Sequence, residues 1–287
     1  MRLTAYRTWP FFVLRRRPRF HLSLCAILLN EAPYVLEWIA FHRLVGIEHF
    51  YIYDNGSTDG TVELLRERFP AGLITIIDWP RPAAQVAAYR HAVATFADQT
   101  EWCAFIDGDE FLFPATEDSL PPLLEMARHH SGLCAFWLLF GSNGLKTRPP
   151  GLCIEAFSRR AGDDFHNHRH PKNIVRLHET AFLSNPHLFD TRRGIVDDQR
   201  RIVPFDRKAA FLPMQASHER IRVNHYFTKS ADEWALKRAR GRATRNTGAP
   251  DHIRPESDFA LHDRNEVEDL MIQRYVARLK ASLASLN

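Results

Sequence analysis

The stretch Trp102-Cys103-Ala104-Phe105-Ile106-Asp107-Gly108-Asp109-Glu110-Phe111 runs an apolar strand straight into three carboxylates. In extended backbone, side chains two residues apart point the same way, so Asp107 and Asp109 are expected on one side. Two carboxylates so close repel unless a cation lies between them. Oxygen ligands suit Mg²⁺ or Mn²⁺, which keep several waters and bridge to substrate phosphates. Gly108 lets the chain turn there and lets a ligand come near.

Working outward from this stretch, strand and helix patterns alternate. Strands are predicted at residues 21–29, 49–53, 73–78, 102–106 and 133–140, and helices at 33–44, 60–69, 83–97 and 120–130. Short connections between alternating elements imply βαβ units and a mostly parallel sheet, an α/β fold. Ligands of such sheets bind beyond the carboxyl ends of the strands. Polar clusters stand at two more of those ends: Asn30-Glu31 after the first strand, and Asp54-Asn55-Gly56-Ser57-Thr58-Asp59 after the second. A calcium loop starting at Asn55 fails, because Arg66 stands where a bidentate Glu belongs. A nucleotide-contacting loop reads better, with Asp54 accepting from a base or ribose. The second half is less regular. Short strands are predicted at 153–158, 173–177 and 221–226, and helices at 231–240 and 265–286.

The chain has 287 residues, 45% apolar and 25% charged, which excludes intrinsic disorder and fits one large domain. The division expected is a basic arm at 1–20, a catalytic domain at 21–245 and a helical extension at 246–287. The arm lacks the apolar region and cleavage site of a secretory signal. It predicts a cytoplasmic protein, with peripheral contact to the inner face of an anionic membrane. A net charge of +4 is mild and does not demand a polyanionic partner. Lys237, Arg238, Arg240, Arg242 and Arg245 lack interleaved aromatics, so they read as a solvated helix and no nucleic acid is expected. Residues 166–170 carry three histidines without a fourth ligand and read as a loop. Cys25, Cys103, Cys134 and Cys153 form no metal or redox spacing and read as buried thiols. Phosphate-loop, dinucleotide, zincin and serine-hydrolase motifs are all missing.

NEAPYVLEWIAFHRLVGIEHFYIYDNGSTDGT at 30–61, followed by WCAFIDGDEFLFP at 102–114, resembles the family-2-like glycosyltransferases, and within them the branch like family 92. GSNGLKTRPPGL, KNIVR and RVNHYFTKSADEW are similar to that branch too, so the resemblance covers residues 22–242. It implies a GT-A fold, a nucleotide-sugar donor (UDP-linked), a glycan acceptor, inversion of configuration, a role in polysaccharide biosynthesis and a divalent metal, usually Mn²⁺. On this chain it places donor contacts at Asn30, Glu31, Asp54, Asn55, Gln85, Tyr89, Asp107 and Lys229. The metal-binding D-x-D falls on Asp107 and Asp109, with His225 as a further ligand. Inversion needs a base that takes the acceptor's proton; His178, Glu179, Asp197 and Asp198 are the candidates. Two rivals remain. One is a nucleotidyltransferase of similar fold, disfavoured by the missing Gly-rich phosphate loop. The other is a non-catalytic basic protein that binds anionic surfaces.

Overall fold

The computed structural model describes residues 17–205, 211–242, 245 and 248–286. Most of the basic arm, with its expected membrane contact, therefore lies outside the described residues. In the first half, β1 (Phe20–Leu28), α1 (Val35–Leu44), β2 (His49–Asp54), α2 (Thr61–Arg68), β3 (Ile74–Asp78), α3 (Ala84–Phe96) and β4 (Thr100–Phe105) alternate as expected. Then follow β5 (Glu110–Pro114), β6 (Gly132–Leu139), α4 (Cys153–Ala156), β7 (Arg159–Arg160) and β8 (Pro171–Val175). The remainder is β9 (Thr180–Asn185), β10 (Leu188–Thr191), β11 (Ile195–Val196), β12 (Ile202–Val203), β13 (Ile221–His225), α5 (Ala231–Arg240), α6 (Ser257–His262), β14 (Val267–Glu268) and α7 (Val276–Ala284).

The main sheet has the order β12-β11-β6-β8-β4-β1-β2-β3, with β13 beside β6 and β5 beside β13. Strands β1 to β4 are mutually parallel where they pair. β8 runs antiparallel between β4 and β6, so β6 points the same way as β4. The carboxyl ends of β1, β2, β3, β4 and β6 thus share one edge of the sheet. Strands covered on both faces read as continuous apolar runs, as FHLSLCAIL does.

One core layer packs α1, α2 and α7 on the sheet, through Trp38, Phe41, Leu65 and Leu279. The other packs α3 and the β9–β10 hairpin, through Ala88, Tyr89, Leu183 and Phe189. Trp38 is 1% exposed, and its indole N–H donates to the Glu110 carbonyl at 2.7 Å. Replacing such a residue with Ala costs about 3–5 kcal/mol. Cys25, Cys103, Cys134 and Cys153 are buried free thiols. Among the described residues, no helix is long and apolar enough to cross a membrane.

Three elements differ from expectation. The helix expected at 120–130 is a 3₁₀ segment, Pro121–Ala127, that opens on two adjacent prolines. The strand expected at 153–158 is the short helix α4. The buried Glu37 carboxylate accepts the N–H groups of Cys153 and Ile154 at 2.8 and 3.1 Å, and these orphan donors fix a helical turn. Burial pushes Glu37 up to about 7 despite those bonds. The long helix expected at 265–286 shortens to α7. Asp269 is drawn away by Arg160 and Arg222 at 2.8 and 3.0 Å, and residues 267–268 pair with β7 instead.

Candidate active site

The shared sheet edge opens into a cavity of about 1200 Å³. Its first side is built by loops that hold one another. Asn30, in left-handed backbone at φ 56°, accepts the Thr58 N–H at 2.8 Å, while its own N–H donates to Ser57 at 3.0 Å. Asp59 accepts the Ala32 N–H at 2.9 Å. Asn55 donates to the carbonyls of Trp79 and Arg81 at 2.8 and 3.0 Å, tying β2 to β3. Asp54 accepts the N–H groups of Gly56 and Ser57 and does not line the cavity; Asn55 and Gly56 do. Asp54 and Asn30 therefore shape the turn, and the surface they present is largely backbone. Glu31 reaches the wall and meets Arg240 at 2.8 Å and Lys229 at 3.7 Å.

The carboxylate corner follows β4. The chain turns at once, with the Glu110 N–H donating to the Asp107 carbonyl at 3.1 Å. Gly108 packs closely there: a Cβ would stand 2.7 Å from the end of the Leu28 side chain, which would have to shift. The turn departs from the extended backbone on which the pair was expected, and both carboxylates line the cavity. Asp107 takes Gln85 Nε2 at 2.6 Å on one oxygen and Lys172 Nζ at 2.7 Å on the other. Asp109 faces His225 Nε2 at 3.5 Å and Lys237 Nζ at 2.5 Å. Burial raises both carboxyls, but the cations around each together outweigh it, Lys172 chief among them for Asp107 and Lys237 with His225 for Asp109, which ends well below the usual range.

Glu110 is wholly buried behind them. Burial and the neighbouring Asp107 push it well up, although Lys172 lies 3.1 Å away. Asp109, Glu110 and His225 each offer one ligand atom, all within 4.8 Å of one another. Glu110 Oε1 and His225 Nδ1 are buried without hydrogen-bond partners. One carboxylate, an imidazole and a spare carboxylate oxygen make a donor set that fits a hard divalent cation. In this grouping Glu110 takes the place expected for Asp107.

The other expected residues divide. Gln85 lines the cavity and Tyr89 does not; both hold Asp107, the Tyr89 hydroxyl at 3.4 Å. Lys229 lies behind Glu31, over the Tyr34 ring at 3.9 Å, and does not reach the wall. The base candidates are corrected. His178, Glu179, Asp197 and Asp198 do not line the cavity. β8 runs backwards, so Val175 pairs with Cys103 and Gly132, and residues 177–179 fall at the amino ends of β4 and β6. Glu179 is held by Arg193 at 2.8 Å. Asp197 and Asp198 follow β11, which lies between β12 and the start of β6; they accept from Arg201 and from the Arg220 N–H.

Several wall residues escaped the sequence reading. Lys172 was visible only as part of KNIVR. Trp137 and His187 carried no signal, since an aromatic in a strand and a histidine in a loop are each commonplace, and His170 stood out only within the three-histidine run at 166–170 that reads as a loop. Lys237, Arg240, Arg242 and Arg245 line the cavity, with Lys237 largely buried and Arg245 half-exposed. His252, Arg254, Asp258 and His262 also line it, so the boundary expected at 245 falls within the site's wall.

A sequence profile of glycosyltransferase family 92 matches residues 21–197. A family 92 protein of Ricinus communis is 29% identical over 193 residues, 62% of this chain and 32% of the relative. One of Arabidopsis thaliana is 29% identical over 195 residues, with the same shares. The lipopolysaccharide core biosynthesis glycosyltransferase LpsC of Rhizobium meliloti is 34% identical over 112 residues, 37% of this chain and 38% of that one. The chain spans about a third of the length of these curated relatives. Among solved structures, S. aureus TarS bound to UDP-GlcNAc aligns over 93% of this chain and 73% of its own, at 13% identity and a TM-score of 0.42. With the family profile spanning more than half of its residues, the chain belongs to glycosyltransferase family 92.

Proposed function

We propose that the protein is a divalent-metal-dependent glycosyltransferase that moves a sugar from a UDP-linked donor to a hydroxyl of a glycan acceptor, with inversion. The observation that carries this reading is Asp109 facing His225 at 3.5 Å, where β4 and β13 end on the wall of one large cavity. Asp109 and His225, with Glu110 behind them, would hold the cation, Mn²⁺ or Mg²⁺. Such an ion offsets the charge of a diphosphate and draws electrons from the leaving oxygen.

The chain's own groups divide the rest of the work. The slot between Asn55, Gly56, Arg81 and Gln85 takes the base and ribose, with Asp107 held toward it by Gln85 and Lys172. Lys237, Arg240 and Arg254 supply positive charge for the diphosphate, a part expected of Lys229. Burial and nearby arginines bring Lys237 down to about 8 and Arg254 to about 10, even with Asp109 beside them. Cations so disfavoured gain more than solvated ones from an incoming dianion. The LpsC relative, named for lipopolysaccharide core biosynthesis, supports a glycan as acceptor. We place the transfer unit at 21–245, with 246–287 completing its wall.

The test is calorimetric titration of UDP with and without Mn²⁺, beside UDP release from UDP-glucose, UDP-galactose and UDP-GlcNAc. Tight binding and UDP release that vanish in EDTA and return with Mn²⁺ are expected. UDP binding that ignores the metal would overturn the metal assignment. Release of pyrophosphate from UTP would overturn the reaction class.

A further inference from the structure

Inversion needs a proton acceptor on the cavity wall, and the residues expected for that part are elsewhere. Each carboxylate that reaches the wall already holds a cation: Glu31 holds Arg240, Asp107 holds Lys172, Asp109 holds Lys237 and Asp258 holds Arg242. The histidines are more informative. His225 faces Asp109. His262 has both nitrogens engaged, Nδ1 on the Asp258 carbonyl at 2.7 Å and Nε2 on the Asn167 amide at 3.2 Å. His252 is pressed against the backbone, where a Cβ on Gly241 would stand 2.3 Å from its Nε2.

Two rings remain, His170 and His187, 5.5 Å apart between centroids and both against Trp137. Each has Nδ1 on a backbone carbonyl: His170 on Asn167 at 2.9 Å, His187 on Pro171 at 3.2 Å. A nitrogen bonded to a carbonyl must carry the hydrogen, so in a neutral ring Nε2 keeps its lone pair. His187 is packed toward Lys172, which adds to burial in holding it well below the usual imidazole range, and burial lowers His170 as well, to about 4. His170 stacks flat on Trp137 at 4.4 Å and lies 5.9 Å from Phe211, whose side chain is 50% exposed. Of the two, both of which line the cavity, His170 is the one with an exposed ring beside it. β8 and β6 also lie beyond β4 from the nucleotide-side loops, so this wall faces the far end of a donor laid across the sheet edge.

We infer that His170 is the catalytic base and that the stacked Trp137 fixes its plane. This rests on the glycosyltransferase reading above. Nε2 takes the proton of the acceptor hydroxyl as that oxygen's lone pair closes on the anomeric carbon. The bond from that carbon to the β-phosphate oxygen breaks, and its electron pair leaves with the nucleoside diphosphate. The imidazolium then returns its proton to water.

The test needs no knowledge of the acceptor, because water serves as one when the donor is hydrolysed. In His170→Ala, UDP release from the donor the native enzyme turns over should fall about a hundredfold or more, the usual range for a lost general base. UDP binding with Mn²⁺ and the melting temperature should stay at the native values. Added imidazole should restore turnover in His170→Ala and have no effect on the native enzyme. Unchanged turnover in His170→Ala overturns the assignment, and so does a loss matched by lost UDP binding or one that imidazole leaves unrescued. If the native protein neither binds UDP nor releases it from any donor, the glycosyltransferase reading itself falls and takes this one with it.

Discussion

The two sides of the cavity are made in opposite ways. On the side of β1, β2 and β3, polar side chains bind neighbouring backbone: Asn30 on Thr58, Asp54 on Gly56 and Ser57, Asn55 on Trp79 and Arg81. Few of their hydrogen-bonding groups are left over. On the side of β6, β8 and α5, side chains from distant segments meet each other, and several keep an unused lone pair or charge. The lesson is a division of labour between rigid shape on one side and reactive groups on the other. The carboxylate corner after β4 joins them.

The largest effect is expected at the join. Asp109→Asn removes the charge that His225 and Lys237 both face. UDP release should fall at least about a thousandfold, roughly 4 kcal/mol of barrier, with the circular dichroism spectrum retained. Turnover near the native rate would separate the corner from the chemistry and end the comparison.

The next effect falls on the reactive side. Lys172 is 1% exposed and bridges Asp107 and Glu110. Burial opposes its charge, yet the two carboxylates outweigh that and raise its pKa. Lys172→Met leaves the wholly buried Glu110 and the partly exposed Asp107 without their shared cation, and a loss of about 3–5 kcal/mol in urea unfolding is expected. A melting curve like the native one would show that the corner does not depend on this cation.

The smallest effect belongs to the loop side. Asn55→Ala removes two hydrogen bonds between loops, about 1–2 kcal/mol of stability, and its effect on the donor falls on UDP affinity, with turnover at saturating donor changed less than about threefold. A large loss of turnover in this variant would show that the loops do chemistry as well as set shape, and would blur the distinction between the two sides.

How much of this was legible follows the same line. β1 to β4 and α1 to α3 were read to within about two residues, because period-2 and period-3.6 patterns are local properties of the chain. The corner was legible too, since its three carboxylates are neighbours in sequence. Its orientation was not. Asp107 and Asp109 take different partners, Gln85 and Lys172 for one and His225 and Lys237 for the other, across a turn that is not extended backbone. α4 was misread as a strand because its helical turn is capped by Glu37, more than a hundred residues away.

The amino-acid order by itself determined the α/β alternation, the sheet edge where the site lies, and the acids at the end of β4. Tertiary structure alone decided which side chains face those acids. An antiparallel β8 carries His170 and Lys172 to the carboxyl end of β4 and takes His178 to the opposite end. The register of β13 sets His225 beside Glu110, and α5 lays Lys237 on Asp109. Contacts across such separations depend on strand direction and register, which no local pattern of residues encodes.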